Sequence, residues 1–255
     1  MSETQDLLVT VDDGVMTITF NRPGSLNAVT GEVATAFEAA VDRAATEARA
    51  VVITGDDRAF CSGADLAAKK ESGGATSLDI INATIRKIKD LQVPTIAAVS
   101  GPAAGVGCSF ALICDYVVMS ESAYFMLAFT KIGLMPDGGA TALVAASAGR
   151  HRALKMALNA EKVNAEQAVE WGLASEVHPV ETYLEKAQEV AARFAAGPTL
   201  SLGLTEWAIN QASLTELDAA LDREDEYQRK LMASADFKEG TTAFLEKRAP
   251  VFTGK

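Results

Sequence analysis

Two glycine-containing turns carry the most distinctive chemistry in the sequence. One spans residues 101–107 and opens into an apolar segment that continues to Leu112, and the other spans residues 61–65. A helix that begins after glycines presents unpaired backbone N–H groups to a ligand. Two such turns that each donate one N–H to the same oxygen atom would form an oxyanion hole. Taken singly, each turn is equally explained by glycines that only permit a tight bend.

Nucleotide binding fits the first of these turns poorly. The phosphate-loop spacing GxxxxGK[ST] is absent from it. The dinucleotide pattern that Gly105 and Gly107 begin has Phe110 where its third glycine belongs. The sequence therefore argues against both kinds of nucleotide loop.

A serine nucleophile is a further alternative for the same turn. Residues 107–111 match half of the GxSxG nucleophile elbow around Ser109, with Ala111 in place of the second glycine. Because His151 and His178 both lie downstream of Ser109, the chain order of a hydrolase triad is possible. The sequence leaves this alternative open.

One acid stands beside a later pair of glycines. Asp137 precedes Gly138 and Gly139, and a helix is predicted to begin at Gly138. By its position alone, Asp137 would serve as the N-cap of that helix, accepting backbone N–H bonds. A carboxylate at such a place can also take a proton from a substrate and return it.

The elements that must position these residues alternate between strand and helix. Strands are predicted at residues 7–11, 15–20, 50–54, 95–99, 115–119 and 124–126, with helices after Thr30 and before Pro94. The polar residues 69–77 are predicted to form a surface loop. Beyond Gly138 the pattern is helical except at residues 175–177. This order predicts an α/β core at residues 1–197 and a helical C-terminal region at residues 198–255, with the boundary at Gly197-Pro198.

The composition limits the classes of function. The 255 residues carry a net charge of −11, which argues against binding to nucleic acid or to an anionic membrane because both need a basic face. The charge-dense residues 216–230 are interpreted as a solvated face. Three cysteines without a CxxC pair indicate neither disulfides nor a zinc site, and they favour the cytoplasm. The first residues lack the features of a signal peptide, and the sequence predicts no transmembrane helix.

Taken together, several short motifs resemble the crotonase (enoyl-CoA hydratase/isomerase) family. The resemblance covers nearly the whole chain, in order and at familiar spacing. Its motifs are Asn21-Arg22-Pro23, Leu26-Asn27-Ala28, AFCSGADL at 59–66, GPAAGVG at 101–107, Cys114-Asp115 and AFLEKRAP at 243–250.

The resemblance implies a fold, a substrate class and a set of site residues. It implies a spiral of ββα units with a helical C-terminal trimerisation region, assembled as a homotrimer or a dimer of trimers. The ligand would be an acyl-CoA thioester, with coenzyme A as part of the substrate and no separate cofactor or metal. The oxyanion-hole N–H groups would belong to Ala64 and Val106. The CoA nucleotide would lie near Leu26, Ala28, Asp65 and Leu66, with Phe244 and Lys247 contributed by a neighbouring subunit.

The departures from the family pattern bear on the reaction. Family hydratases carry two glutamates that hold and activate water, and the corresponding positions here are Ser109 and Phe129. Phe129 would also line the apolar pocket for the acyl group. Adding water across a double bond requires a base and an acid, which these two residues cannot supply. Asp137 stands where family isomerases carry their catalytic acid. A double-bond shift needs only one carboxyl group.

The sequence therefore predicts a cytoplasmic enoyl-CoA isomerase in which Asp137 moves the proton. One alternative is an enoyl-CoA hydratase of fatty-acid or ring-substrate degradation that uses a different acid. The other is a non-catalytic acyl-CoA-binding protein that keeps the oxyanion turns for affinity. Arg22, Lys69, Lys70 and Lys247 are candidate cations for the CoA phosphates on an otherwise acidic chain.

Overall fold

A β-hairpin begins the fold and forms the edge of its main sheet. The structure is a computed structural model that describes residues 5–66 and 77–255. Strands β1 (Leu7–Asp12) and β2 (Val15–Phe20) pair antiparallel. Asp13 and Gly14 join them with positive φ angles of 45° and 81°, the backbone that a two-residue Asp-Gly hairpin turn requires.

Four parallel strands extend this hairpin into a six-stranded sheet. They are β3 (Ala50–Thr54), β4 (Thr95–Val99), β6 (Tyr116–Ser120) and β9 (Glu176–His178), and the order across the sheet is β1-β2-β3-β4-β6-β9. Every residue of β3 and β4 is buried. Helices cover both faces of these strands, which explains their continuous apolar composition.

A second, three-stranded sheet lies beside the glycine-rich turn. Its strands are β5 (Pro102–Ala104), β7 (Tyr124–Met126) and β8 (Lys162–Asn164), in the order β5-β7-β8. The predicted turn at residues 101–107 thus contains a short strand. Strand β8 was not predicted, because it has three residues and only Val163 among them is buried.

The helices surround the two sheets. They are α1 (Gly31–Glu47), α2 (Ser77–Lys89), α3 (Val106–Leu112), α4 (Ala140–Ala148), α5 (Arg150–Asn159), α6 (Ala165–Glu170), α7 (Tyr183–Ala195), α8 (Thr199–Ser213), α9 (Leu217–Met232) and α10 (Ala235–Leu245), with 3-10 helices at Pro23–Ser25 and Ala128–Ile132. Thr30 caps α1, as its sequence position predicts, by accepting a bond from the Val33 N–H. No helix in the described part of the chain combines the length and apolar composition needed to cross a membrane.

The last three helices begin just after Gly197-Pro198 and pack onto the same chain's core. Helix α9 contacts α2 and α4, and α10 contacts the 3-10 helix Ala128–Ile132. Gly240 of α10 makes that contact possible, since a Cβ there would lie 2.6 Å from the Ile132 backbone. The region beyond residue 198 therefore takes part in the fold of the chain itself, close to the predicted catalytic segment.

Candidate active site

The two predicted oxyanion turns lie side by side. The Cys61 N–H donates to the Pro102 carbonyl at 3.1 Å, and the Ala104 N–H donates to the Cys61 carbonyl at 2.9 Å. Phe60, directly before the first turn, and Phe110, in α3, belong to one aromatic cluster with Phe20 and Phe37 in the core. Buried backbone pairing and the packing of these rings hold the turns together.

Glycine is required where the two turns touch. A Cβ on Gly107 would lie 2.3 Å from the Cys61 carbonyl oxygen, a distance that no side chain can accept. Gly63 has a φ of 105°, and a Cβ on it would lie 3.0 Å from the Ala104 carbonyl oxygen. The glycines at these positions therefore do more than permit a bend, because they allow the start of α3 to approach the first turn.

This approach places Ala64 and Val106 at the mouths of adjacent turns. Val29 and Ala64 form an isolated β-bridge. The Val29 N–H donates to the Gly63 carbonyl, and the Asp65 N–H donates to the Val29 carbonyl, so the bridge uses the backbone groups of the residues on either side of Ala64. Val106 is the first residue of α3, where a helix has no internal acceptor for the N–H. Within the described residues, neither the Ala64 N–H nor the Val106 N–H has a protein acceptor. Two such N–H groups without an internal acceptor are what an oxyanion hole requires.

The predicted CoA-binding residues of the N-terminal half also come together. Arg22 donates to the Ala28 carbonyl at 2.6 Å and pairs with Asp65 at 2.9 Å. The Ser62 N–H donates to the carbonyl of Leu26, which is 39% exposed. The turn around residues 26–28 is thus tied to the first oxyanion turn, in which Leu66 follows Asp65.

The candidate cations differ in their surroundings. Arg22 also pairs with Asp6 at 3.2 Å, so two carboxylates balance its charge while it holds the turn. Lys247 is exposed at the end of α10, near Phe244, which is 61% exposed. Within a single chain, Phe244 and Lys247 both lie at the surface. Lys69 and Lys70, together with most of the predicted loop at 69–77, lie outside the described residues.

Asp137 is buried beside the helix that carries Val106. Its side chain is 7% exposed, and the Ser109 hydroxyl of α3 donates to its backbone carbonyl at 2.9 Å. Phe129 is also buried and lies next to Gly105, with 3.9 Å between its ring and the position of a Cβ there. The structure therefore brings Ala64, Val106, Phe129 and Asp137 into one region.

The N-cap interpretation of Asp137 is wrong. Helix α4 begins at Ala140, two residues later than predicted, and the residue before it is Gly139. Glu224 of α9 takes the helix start, accepting from the Gly139 N–H at 2.6 Å, from the Thr141 N–H at 2.9 Å and from the Thr141 hydroxyl. The cap therefore comes from a distant part of the chain.

The sequence reasoning missed two polar residues that support the Asp137 segment. Glu224 is 1% exposed and Gln228 is completely buried, so the interpretation of this part of α9 as solvated is wrong. Burial raises the pKa of Glu224, and the bonds from Thr141 and Gly139 oppose that rise. A signal was available, because both residues lie on the buried stripe that Leu217 and Leu221 define at helical spacing.

The serine hydrolase alternative is excluded by geometry. Ser109 lies within α3, fully buried, and its hydroxyl is committed to the Asp137 carbonyl. His178 contacts Glu176 at 2.8 Å, and His151 is exposed on α5. No nucleophile–histidine pair forms around Ser109.

A cysteine nucleophile is equally unsuited to this site. Cys61 and Cys108 flank the oxyanion turns and are completely buried. Burial raises the pKa of each thiol to about 12, so both stay protonated at neutral pH. Among the described residues around the turns, Asp65 is paired with Arg22, which leaves Asp137 as the candidate for proton transfer.

The chain is similar to known proteins over nearly its whole length. Residues 10–255 match the enoyl-CoA hydratase/isomerase family. The chain is 42% identical to the 1,2-epoxyphenylacetyl-CoA isomerase of Escherichia coli K12, over 98% of each chain, and 36% identical to that organism's 2,3-dehydroadipyl-CoA hydratase, over 98% and 99%. The crystal structure of an enoyl-CoA hydratase from Mycobacterium avium subsp. paratuberculosis K-10 superposes with a TM-score of 0.91 at 49% identity, covering 97% of this chain and 98% of that one. With its α/β crotonase fold and C-terminal helices, the chain belongs to the enoyl-CoA hydratase/isomerase family of acyl-CoA enzymes.

Proposed function

We propose that the protein is an isomerase that shifts a double bond in an enoyl-CoA thioester, with Asp137 as its single acid/base. The observation that carries the proposal is the place of Asp137, which is buried and bonded through its backbone to α3, the helix whose first N–H has no acceptor within the described residues. Ser109 and Phe129 replace the two hydratase glutamates. Glu224, the other buried carboxyl group nearby, uses both oxygens to cap α4.

The mechanism follows from these positions. The thioester oxygen accepts bonds from the Ala64 and Val106 N–H groups, which stabilise negative charge as it develops on that oxygen. Asp137 removes a proton from the carbon next to the thioester of a 3-enoyl-CoA. The electron pair of that C–H bond forms the new 2,3 double bond through the enolate, the 3,4 double bond opens, and Asp137 returns the proton to carbon 4. The reaction is a proton transfer within one substrate, so it requires no redox cofactor or metal, and coenzyme A enters as part of the substrate.

The products formed by the unmodified enzyme test the proposal. We expect conversion of trans-3-hexenoyl-CoA to the 2-enoyl isomer to be much faster than hydration of crotonyl-CoA. Rapid hydration of crotonyl-CoA would favour the hydratase alternative. Tight binding of both thioesters with turnover of neither would favour the non-catalytic binding protein.

A ring substrate is a second candidate, favoured by the 42% identity to a relative named 1,2-epoxyphenylacetyl-CoA isomerase. The same oxyanion hole and a single proton-transferring carboxyl group would suit isomerisation of an aryl-acetyl thioester. Assay of that epoxide beside the straight-chain 3-enoyl-CoA separates the two. The larger kcat/KM identifies the acyl group for which the site is built.

The nucleotide end of CoA is proposed to bind between subunits. Phe244 and Lys247 are exposed at the end of α10, and apolar side chains of α8 are exposed as well, among them Leu200, Leu204 and Ile209. We expect a homotrimer or a multiple of it in sedimentation, and tighter binding of octanoyl-CoA than of octanoate in calorimetry. A stable monomer at micromolar concentration contradicts the assembly, and equal affinity for the two ligands contradicts recognition of CoA.

A further inference from the structure

Gln228 of α9 joins the C-terminal helices to the carboxyl group of Asp137. Its Nε2 lies 2.7 Å from Asp137 Oδ2 and 2.9 Å from the Met135 carbonyl oxygen, and its Oε1 lies 3.2 Å from the Met135 nitrogen. The residue is completely buried. The buried amide donates one hydrogen to Met135 and the other to Asp137. It therefore fixes the position of the segment that contains both residues.

The bonds to Met135 determine which end of the amide faces Asp137. The Met135 N–H can only donate and the Met135 carbonyl can only accept, so Oε1 must face the former and the NH2 group the latter. The second hydrogen of the NH2 group then points to Asp137 Oδ2. This contact is therefore a donated bond, and a donated bond favours the charged form of a carboxyl group.

We propose that Gln228 is a positioning residue for Asp137, which orients the carboxyl group and holds it in the ionised form that can accept a proton. Glu224, one helical turn earlier on the same face of α9, secures the following residues by capping α4. Helix α9 thus holds the Asp137 segment at both ends. The consequence for catalysis rests on the proposed isomerase mechanism, but the effect on Asp137 ionisation does not.

Titratable groups on the helices that pack near the Asp137 segment have other partners or stay neutral. Glu224 lies on the same helix and caps α4. On the neighbouring α2, Asp79 pairs with Arg229 of α9 at 2.6 Å. On α3, Cys108 stays neutral because burial raises its thiol pKa to about 12. A measurement that reports Asp137 alone separates its titration from that of each of these groups.

The test replaces Gln228 by methionine, which has a similar length and no donor. The Asp137 carboxyl group is followed by carbon-13 NMR in protein labelled at aspartate, with its signal assigned by its loss in Asp137→Asn. A hydrogen bond to a charged group is worth about 1.5–3 kcal/mol, so the titration midpoint should rise by about 1–2 pH units in Gln228→Met. The acidic limb of the kcat/KM profile should move up by the same amount, while KM changes little. Gln188→Met is the matched control, since Gln188 donates to Thr17 between α7 and β2.

An unchanged Asp137 midpoint in folded Gln228→Met overturns the inference, whatever the turnover. If Gln228→Met does not fold, Gln228→Asn keeps the amide but withdraws it by one methylene, and the same criterion applies. A raised midpoint in a protein whose wild type does not isomerise supports the role of Gln228 and contradicts the proposed function instead. The two failures are therefore distinguishable.

Discussion

At the scale of single residues, the site depends on polar groups that act through the backbone. The Ser109 hydroxyl of α3 donates to the Asp137 carbonyl. In the proposed oxyanion hole Ala64 and Val106 would act through their N–H groups, and their side chains would take no part. Asp137 is thus the one side chain of the proposed site that must change its own chemical state.

Ser109→Ala tests the support of Asp137 from α3. The variant loses one buried hydrogen bond, which is worth about 1 kcal/mol, so Tm should fall by about 2–4 °C. If the bond also positions Asp137, kcat should fall about 5-fold, the equivalent of that energy. The control is Ser213→Ala, which removes a similar hydroxyl bond from the exposed end of α8. A wild-type kcat in Ser109→Ala would contradict the positioning role.

The sequence predicted the residues of the site that belong to contiguous motifs. Ala64 and Val106 each follow a glycine and Asp137 precedes two, and the structure brings these three segments together. Glu224 and Gln228 were missed because they belong to a charge-dense helix and reach their partners across more than 80 residues of chain. A polar side chain can be identified as buried only when its hydrogen-bond partner is known, and the sequence does not show a partner so far along the chain.

At the scale of elements, the site depends on how closely α3 approaches the first oxyanion turn. The strands beneath it were predicted correctly, because β-branched runs such as Ala50–Thr54 are typical of strands buried on both faces. Strand β8 was missed because pairing with β7, and not its own composition, makes it a strand. Helix α4 begins two residues later than predicted because Gly139 has a φ of 82°, outside the helical region.

Gly107→Ala tests whether α3 must lie this close to the first oxyanion turn. The added Cβ would lie 2.3 Å from the Cys61 carbonyl oxygen, so α3 must move away from the first turn. Overpacking of this kind lowers the free energy of unfolding by about 1–3 kcal/mol. The movement should also separate the Ala64 and Val106 N–H groups, which would lower kcat. Gly31→Ala is the control, because a Cβ there meets nothing within 4 Å. Equal activity and Tm in the two variants would contradict the predicted close contact.

At the scale of the whole molecule, the buried carboxyl group of Glu206 in α8 lies against the exposed Asp115 directly before β6. Asp115 accepts bonds from the Thr95 N–H and hydroxyl at 2.8 and 2.6 Å, and Glu206 of α8 lies beside it. Burial and the neighbouring Asp115 raise the pKa of Glu206 from 4.5 to about 9. The folded protein therefore holds a proton that the unfolded chain releases.

This proton makes the stability of the fold dependent on pH. Because the folded state binds more protons than the unfolded state between about pH 4.5 and pH 9, the free energy of unfolding contributed by Glu206 decreases as the pH rises through that range. Glu206→Gln removes the titration and keeps the shape. We expect the Tm of the variant to exceed that of the wild type by a margin that grows from pH 5 to pH 9.

Thermal melts across this range measure the margin, with Glu181→Gln, an exposed substitution, as the control. Each kcal/mol corresponds to about 2–4 °C in a chain of this size. A constant difference between wild type and Glu206→Gln at all pH values would show that Glu206 is not protonated in the folded protein.

The rate of isomerisation by Asp137→Asn is the most direct test of the single-acid mechanism. Asparagine keeps the size of the side chain, and its oxygen can still accept the bond from Gln228, so the fold and the Tm should be preserved. Loss of the base should lower kcat/KM for a 3-enoyl-CoA by about 10²–10⁴, whereas the exposed control Asp90→Asn should match the wild type. Wild-type turnover in a folded Asp137→Asn protein would contradict the mechanism.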